Sequence, residues 1–271
     1  MTTVASASLN TGQHNGPNGL PVVEMEHLKK SFGSNYVLRD LSLVVKKGEN
    51  VVILGQSGTG KSVLIKSIVG LVDLDEGKLV ILGQNTAELT DTELLDLRKK
   101  IGFLFQSGAL YDSMTVRENL EFPLRRQVHS IPKEEMDALV AEALGNVGLA
   151  DAIEMKPSEL SGGMRKRLGL ARTLILKPEI MLYDEPTTGL DPITSREISN
   201  LILEVQQKYD TSSIIITHDI ECAELTANRI IVMKDGTCAA EGSYAELTNS
   251  PDAWIRSFFE LNIGQTIPVV I

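Results

Sequence analysis

Short apolar runs that end in glycine or polar residues are the main pattern along this chain. Val51–Leu54 ("VVIL") stops at Gly55, and an apolar run of this length between turn residues is typical of a strand buried on both faces of a sheet. "EIMLYDE", whose apolar run stops before Asp184-Glu185, and "SSIIITHD", which turns polar at His218-Asp219, repeat the pattern. We therefore predict three buried strands of an open parallel sheet.

Segments with helical spacing alternate with these strands, which predicts the α/β class. "KSVLIKSIVG" and "SREISNLILEVQQKYD" have apolar residues on one helical face, and "DTELLDLRKK" and "PKEEMDALVAEALGNVGL" favour helices within about 91–176, with Pro132 in a first turn. Short strands are expected from Val22 to about Val45. Asp235-Gly236 predicts a hairpin turn between two further strands.

Composition narrows the classes of function. The 271 residues carry a net charge of -10, which argues against a non-specific hold on nucleic acid or on anionic lipid. Cys222 and Cys238 lack the spacing of metal ligands and cannot form a disulfide framework. No apolar run approaches the ~18 residues that a membrane span needs. The polar residues 1–20 lack the apolar core of a secretory signal and predict a flexible tail.

Gly55-Gln-Ser-Gly-Thr-Gly-Lys61-Ser62 matches the phosphate-loop pattern in full, with a predicted strand before it and a helix after it. Its glycines let backbone N–H groups surround phosphate oxygens, Lys61 would reach the β- and γ-phosphates, and the Ser62 hydroxyl would bind Mg²⁺. The alternative to phosphate binding is that these residues form only a tight turn between a strand and a helix.

Three other strand ends carry groups suited to ATP chemistry. Asp184 could hold Mg²⁺ through water, and Glu185 could deprotonate an attacking water, although such a pair also occurs as a helix cap or loop. His218 could contact the γ-phosphate or be structural. Gln106 could bind Mg²⁺ or the water, or be a solvated strand end. Because ligands sit at the carboxyl ends of parallel strands, we expect these residues to converge.

A second candidate anion site lies at "LSGGMRKR", residues 160–167, where a glycine turn opens onto a helix. Ser161, Gly162 and Gly163 could bind phosphate at the start of that helix or could be an ordinary cap. The basic residues after Met164 are expected to be a solvated helix face.

Together these motifs resemble the nucleotide-binding domain of ATP-binding cassette (ABC) transporters over about residues 22–250. The resemblance rests on the phosphate loop at 55–62, Gln106, "LSGGM" at 160–164, "IMLYDEP" at 180–186, "GLD" at 189–191 and His218. It implies a P-loop NTPase core with a parallel sheet, an N-terminal antiparallel β subdomain and an inserted α-helical signature subdomain. "FQSGALYDSMTVRENLEFPL", residues 105–124, is similar to the Mla-type ATPases of phospholipid trafficking.

The resemblance also implies roles for the site residues. Two copies would dimerise head to tail, and Ser161, Gly162 and Gly163 of one copy would grip the γ-phosphate on the other copy's Lys61. Asp191 would communicate across the interface, and Phe32, with Tyr36 as runner-up, would stack on adenine.

The expected cofactors are ATP and Mg²⁺. The expected ATP-binding residues are Phe32, Gly55, Gln56, Ser57, Gly58, Thr59, Gly60, Lys61, Ser62 and Val63; those for catalysis are Glu185, His218 and Gln106; those for Mg²⁺ are Ser62, Gln106 and Asp184.

The expected organisation is a tail at 1–20, an ABC ATPase domain at 21–250 with its helical subdomain at about 91–176, and a C-terminal extension at 251–271. The expected partners are a second copy, integral membrane permease subunits (MlaE-like), a small cytoplasmic STAS-type accessory and a periplasmic lipid-binding subunit, with no nucleic acid. The protein would lie on the cytoplasmic face of the bacterial inner membrane.

Two rival interpretations stay open from sequence. A soluble ABC protein acting on DNA or ribosomes usually has two cassettes or a long coiled coil, whereas this chain shows one cassette and an acidic balance. A plain nucleotide-binding protein with a phosphate loop is the second rival, and the "LSGGM" motif and His218 argue against it. Within the transporter class, an importer of another solute is the alternative to phospholipid transport.

Overall fold

The computed structural model describes residues 19–127 and 131–263, in a mixed fold of two sheets and surrounding helices. The tail predicted at 1–20 lies almost wholly outside the described residues, as do the last eight residues of the expected C-terminal extension. None of the described helices is long and apolar enough to cross a membrane.

An antiparallel sheet has the strand order β2-β1-β4-β5. Its first two strands form a hairpin around Gly33, whose φ of 62° suits glycine. Alternate residues of the second strand, Leu41, Leu43 and Val45, are buried, as expected for a sheet with one covered face. The strands are β1 Pro21–Phe32, β2 Asn35–Lys46, β4 Glu76–Ile81 and β5 Gln84–Asn85.

The second sheet has the order β10-β9-β3-β8-β7-β6, and β9, β3, β8, β7 and β6 run parallel. The three strands predicted to be buried, β3, β7 and β8, are buried at every position. The predicted hairpin turn at Asp235-Gly236 is confirmed, because it joins antiparallel β9 and β10 and both residues have positive φ. The strands are β3 Asn50–Gly55, β6 Ile101–Leu104, β7 Ile180–Asp184, β8 Ser212–Ile216, β9 Arg229–Lys234 and β10 Thr237–Gly242.

The helices cover this second sheet. Alternate residues of its strands enter two different cores: Val52 packs in a cluster with side chains of α3 to α6, and Val51 packs in a cluster with β1, β2 and α1. The helices are α1 Lys61–Ile68, α2 Asp91–Lys99, α3 Val116–Gln127, α4 Lys133–Val147, α5 Gly162–Leu174, α6 Pro192–Tyr209, α7 Ile220–Thr226, α8 Tyr244–Thr248 and α9 Ala253–Ile263, with 3₁₀ turns at Thr86–Glu88, Ala150–Ala152 and Pro157–Glu159.

The segment expected to be a helical subdomain, at about 91–176, also contains parts of the main fold. Within it, β6 pairs with β7 in the second sheet, and Leu97 of α2 is buried in the cluster with β1 and β2. Between β6 and β7, the described elements are α3, α4, α5 and two 3₁₀ turns. Pro132 caps α4 from outside its first turn.

The expected extension at 251–271 begins as part of the fold. Ile255 and Phe259 of α9 are buried in the main core, and the Phe259 ring centroid lies 5.7 Å from that of Tyr244 in α8.

Candidate nucleotide-binding site

The structure brings together the strand ends that were expected to converge. Because β3, β8, β7 and β6 are neighbours and parallel, their carboxyl ends lie on one edge of the sheet. The phosphate loop follows β3, His218 follows β8, Asp184 is the last residue of β7 with Glu185 just after it, and Gln106 follows β6.

The phosphate loop has a shape that its glycines permit. Gly58 and Gly60 have φ of 83° and 101°, values that residues with a Cβ rarely adopt. A Cβ on Gly60 would lie 2.7 Å from the Val37 carbonyl oxygen, so the loop packs directly on β2. Gln56, Ser57 and the side chain of Ser62 are exposed, whereas Gly55 is buried at the end of β3.

Lys61 is held inside this loop. The residue is 8% exposed, and its Nζ donates to the carbonyl oxygens of Gly55 at 2.6 Å and Gln56 at 3.0 Å. Burial lowers the pKa of Lys61, and the charges of Glu185 and Asp184 oppose that shift. Its ammonium group therefore lies against the main chain of the loop.

The two carboxylates at the end of β7 have different surroundings. Burial, and then repulsion from Glu185, raise the pKa of Asp184. Glu185 has a φ of 52°, which is uncommon for a residue with a Cβ, and such conformations cluster at functional sites. Its Oε2 lies 2.8 Å from His218 Nδ1 and accepts a hydrogen bond from Thr188 Oγ1 at 3.0 Å.

The residues expected to hold Mg²⁺ supply oxygen donors only, which suits that ion. Ser62 is the second residue of α1, Asp184 ends β7, and the exposed Gln106 side chain lies just beyond β6. Within the described ranges, no group of three or more His, Cys, Asp or Glu side chains could hold a metal. The donor set instead fits an ion that also takes phosphate oxygens and water.

The "LSGGM" segment caps α5. The Ser161 hydroxyl accepts a hydrogen bond from the Met164 N–H at 3.2 Å, so its own O–H stays available as a donor. Ser161 and Gly162 are exposed, and Gly163 is buried. An ideal Cβ on Gly162 would lie 3.5 Å from Leu190, whereas one on Gly163 would lie 2.5 Å from Thr194.

Asp191 begins α6 beside that cap. Its Oδ1 accepts from the backbone N–H groups of Ile193 and Thr194, both at 3.1 Å, and its Oδ2 accepts from Thr194 Oγ1 at 2.5 Å. These bonds, led by the one from the Thr194 side chain, lower the pKa of Asp191. Leu190, next to Asp191, is also the side chain nearest to Gly162.

Phe32 and Tyr36 lie at the end of the β1–β2 hairpin. They are 52% and 66% exposed, and Lys30 Nζ lies 5.3 Å from the Phe32 ring centroid. Val37, the residue after Tyr36, contacts Gly60 of the phosphate loop, so this end of β2 borders the loop.

The expectation of a solvated basic face after Met164 is wrong for Lys166, which is only 7% exposed. Its Nζ donates to the carbonyl oxygens of Gln106 at 2.5 Å and Glu185 at 3.1 Å. The sequence did carry a signal for this burial. Gly169 and Leu170 follow Lys166 by three and four positions, so the three residues share one face of α5, and that face is buried.

The chain is similar to a known protein family and to ATP-binding proteins of several transport systems. The family model described as "ABC transporter" matches residues 38–188. The probable ribonucleotide transport ATP-binding protein mkl of Mycobacterium tuberculosis is 40% identical over 237 residues, which cover 87% of this chain and 66% of that protein, just under two thirds.

Further relatives match over more of their length. The intermembrane phospholipid transport system ATP-binding protein MlaF of Haemophilus influenzae is 36% identical, with 88% of this chain and 90% of that protein covered. The methionine import ATP-binding protein MetN of Rhizobium johnstonii is 35% identical, with 99% and 74% covered. The dimeric post-hydrolysis state of the ATP-binding cassette MJ0796 with ADP and Pi has a TM-score of 0.74 at 35% identity, with 82% of this chain and 98% of that one covered.

Proposed function

Because this chain belongs to the ABC transporter family of ATP-hydrolysing domains, we propose that two copies close head to tail on ATP and drive a membrane permease. The observation that carries the proposal is the presence of two incomplete phosphate sites in one chain. One consists of the phosphate loop with the acidic pair, and the other is the exposed cap of α5, whose neighbours are Leu190 and Thr194.

The phosphate loop binds ATP. Backbone N–H groups from Gln56 to Val63 surround the β- and γ-phosphates, and the partial positive end of α1 adds to the attraction. Lys61 exchanges its carbonyl partners in the loop for phosphate oxygens. Phe32 stacks on the adenine ring, in a position where an exposed aromatic side chain is otherwise unexplained.

Ser62, Asp184 and Gln106 would hold Mg²⁺ at the bound nucleotide. The ion would neutralise charge on the phosphates. Asp184 suits this role, because burial destabilises its ionised form and a cation beside the carboxylate would stabilise that form.

Glu185 takes a proton from the attacking water. Its carboxylate accepts a hydrogen bond from Thr188 and lies 2.8 Å from His218 Nδ1, and these contacts hold it in one orientation. His218 orients that carboxylate and contacts the γ-phosphate with its exposed ring.

The cap of α5 completes the partner's site. The γ-phosphate held by the partner's loop accepts hydrogen bonds from the Ser161 hydroxyl and from the backbone N–H groups of Gly162 and Gly163. Asp191 lies beside this cap, because its carboxylate bonds to Thr194, the residue nearest to Gly163, and it would communicate across the dimer interface.

The cargo that we propose is phospholipid moved between the inner and outer membranes of a bacterium. One support is the MlaF relative, 90% of whose length the chain matches. The other is the signature motif "LSGGM": its Met164 stands where most of the family has Gln and resembles Mla-type relatives, and Pro157-Ser158-Glu159 before it resembles importers and Mla-type ATPases. The partners would be MlaE-like permease subunits, a STAS-type accessory and a periplasmic lipid-binding subunit, at the cytoplasmic face of the inner membrane. Import of another solute is the alternative, which the similarity to MetN favours.

A trapping experiment tests the motor. Glu185→Gln should bind ATP and form a dimer that size-exclusion chromatography with light scattering detects, while steady-state ATP turnover falls by about 100-fold or more. Wild-type turnover in this variant would remove Glu185 from its role. Copurification of the membrane partner, followed by mass spectrometry of bound lipid, tests the cargo; a permease that carries a sugar or amino acid instead would defeat the lipid assignment.

A further inference from the structure

Lys166 places a positive charge inside the protein rather than in water. It lies in the second turn of α5, the helix that the signature residues cap, and it is 7% exposed. Burial lowers the pKa of Lys166, and Glu185 and Asp184 oppose that shift. A lysine side chain is rarely buried so fully without a specific set of partners.

Those partners are main-chain carbonyl groups of two catalytic loops. Lys166 Nζ donates to the Gln106 carbonyl at 2.5 Å, just beyond β6, and to the Glu185 carbonyl at 3.1 Å, just beyond β7. One ammonium group therefore joins α5 to the loops that hold the proposed magnesium ligand and the proposed general base.

The Glu185 contact matters because of the backbone conformation there. With a φ of 52°, Glu185 needs support from its surroundings to hold this geometry. Its N–H donates to the Ile216 carbonyl at 2.8 Å, and its own carbonyl accepts from Lys166. These two bonds fix the peptide planes on both sides of the Cα that carries the carboxylate.

We propose that Lys166 is a positioning residue, which makes the placement of the Glu185 carboxylate depend on the docking of α5 and of the Gln106 loop. When α5 moves away from β6 and β7, the Glu185 backbone loses its second support and the carboxylate leaves the line between water and γ-phosphate. The inference rests on the proposed function, in which Glu185 is the general base.

The test is Lys166→Met in the full chain, which keeps a long unbranched side chain and removes the donor. The kcat for ATP should fall by about 10- to 100-fold, because a displaced catalytic group loses rate steeply with distance. The KM for ATP should stay within about threefold, because Lys166 does not contact the nucleotide. The matched control is Lys99→Met, which removes the same charge from an exposed residue that pairs with Asp96 in its own helix.

Trapping separates this inference from the proposed function. Lys166→Met/Glu185→Gln should form the ATP-dependent dimer as fully as Glu185→Gln alone, since the carboxylate that Lys166 positions is already gone. If Glu185→Gln alone forms no dimer, the proposed function fails whatever Lys166 does. A kcat of Lys166→Met within about twofold of that of Lys99→Met overturns the positioning role. The positioning role is also overturned if the fall in kcat comes with a large fall in the trapped dimer fraction or in the melting temperature of Lys166→Met, because Lys166 would then be only structural.

Discussion

The contact between Gly163 and Thr194 allows a sharp test of how α5 and α6 fit together. Gly163→Ala would place its Cβ 2.5 Å from Thr194 Cγ2, closer than real side chains approach. Thr194 cannot simply rotate away, because its Oγ1 donates to Asp191 at 2.5 Å. Either that bond breaks or the two helix ends separate.

The expected cost follows from overpacking. Forcing an extra methyl group into a packed contact costs about 1–3 kcal/mol, and an alanine in a helix recovers about 0.5–1 kcal/mol. Gly162→Ala has the same helical gain, but its new Cβ would lie 3.5 Å from Leu190, an ordinary contact. The two variants should therefore differ by about 1–3 kcal/mol, and at about 2–4 °C for each kcal/mol their melting temperatures should differ by about 2–12 °C.

The assay is thermal unfolding of nucleotide-free protein, followed by circular dichroism for both alanine variants. Thr194→Ser supplies the decisive comparison, since it deletes Cγ2 and keeps the hydroxyl that bonds to Asp191. Gly163→Ala/Thr194→Ser should melt close to Thr194→Ser alone. Equal melting temperatures for the two alanine variants, or a serine variant that restores nothing, would show that this contact does not limit the packing of α5.

Two further predictions concern charge and adenine binding. Because burial and Glu185 raise the pKa of Asp184, its ionised form costs stability at neutral pH, and this cost vanishes below the ordinary value of 3.8, where the group is protonated in both states. Asp184→Asn should therefore raise the melting temperature of metal-free, nucleotide-free protein by about 1–3 °C at pH 7, with a gain that shrinks as the pH is lowered; an unchanged or lower melting temperature contradicts the stated cause. Phe32→Ala should weaken ATP binding by about 10-fold in a fluorescence titration, corresponding to about 1.4 kcal/mol of lost stacking, while Tyr36→Ala should weaken it less; the reverse order would make Tyr36 the adenine contact.

The strand ends of this protein could be predicted because their signals are local. An apolar run such as Val51–Leu54 fixes a buried strand, and the phosphate loop after it requires glycines at set positions. The same reasoning found the Asp235-Gly236 hairpin, and the predicted family is confirmed by the match over residues 38–188.

The contacts between helices could not be predicted in this way, because they depend on how separate segments meet. The sequence places Lys166 on the buried stripe of α5, but its two carbonyl partners are known only from the packing of α5 against β6 and β7. In the same way, Thr194 shows no sign in the sequence that its methyl group faces Gly163. The apolar run before Gln106 predicted a strand end, but the sequence did not show that the segment expected to be a helical subdomain contains this strand of the main sheet.

The contacts of α5 tie the two half-sites of one chain to each other. Its cap packs on Thr194 beside Asp191, and one turn later Lys166 bonds to the Glu185 carbonyl. In the proposed dimer, the cap serves the partner's ATP, whereas Glu185 serves the chain's own. A displacement of α5 that loosens the grip on one nucleotide of that proposed dimer would also disturb the carboxylate at the other, because a helix moves over such distances as a rigid element. The two proposed sites would then be coupled through the interior of each chain as well as across the interface between the chains.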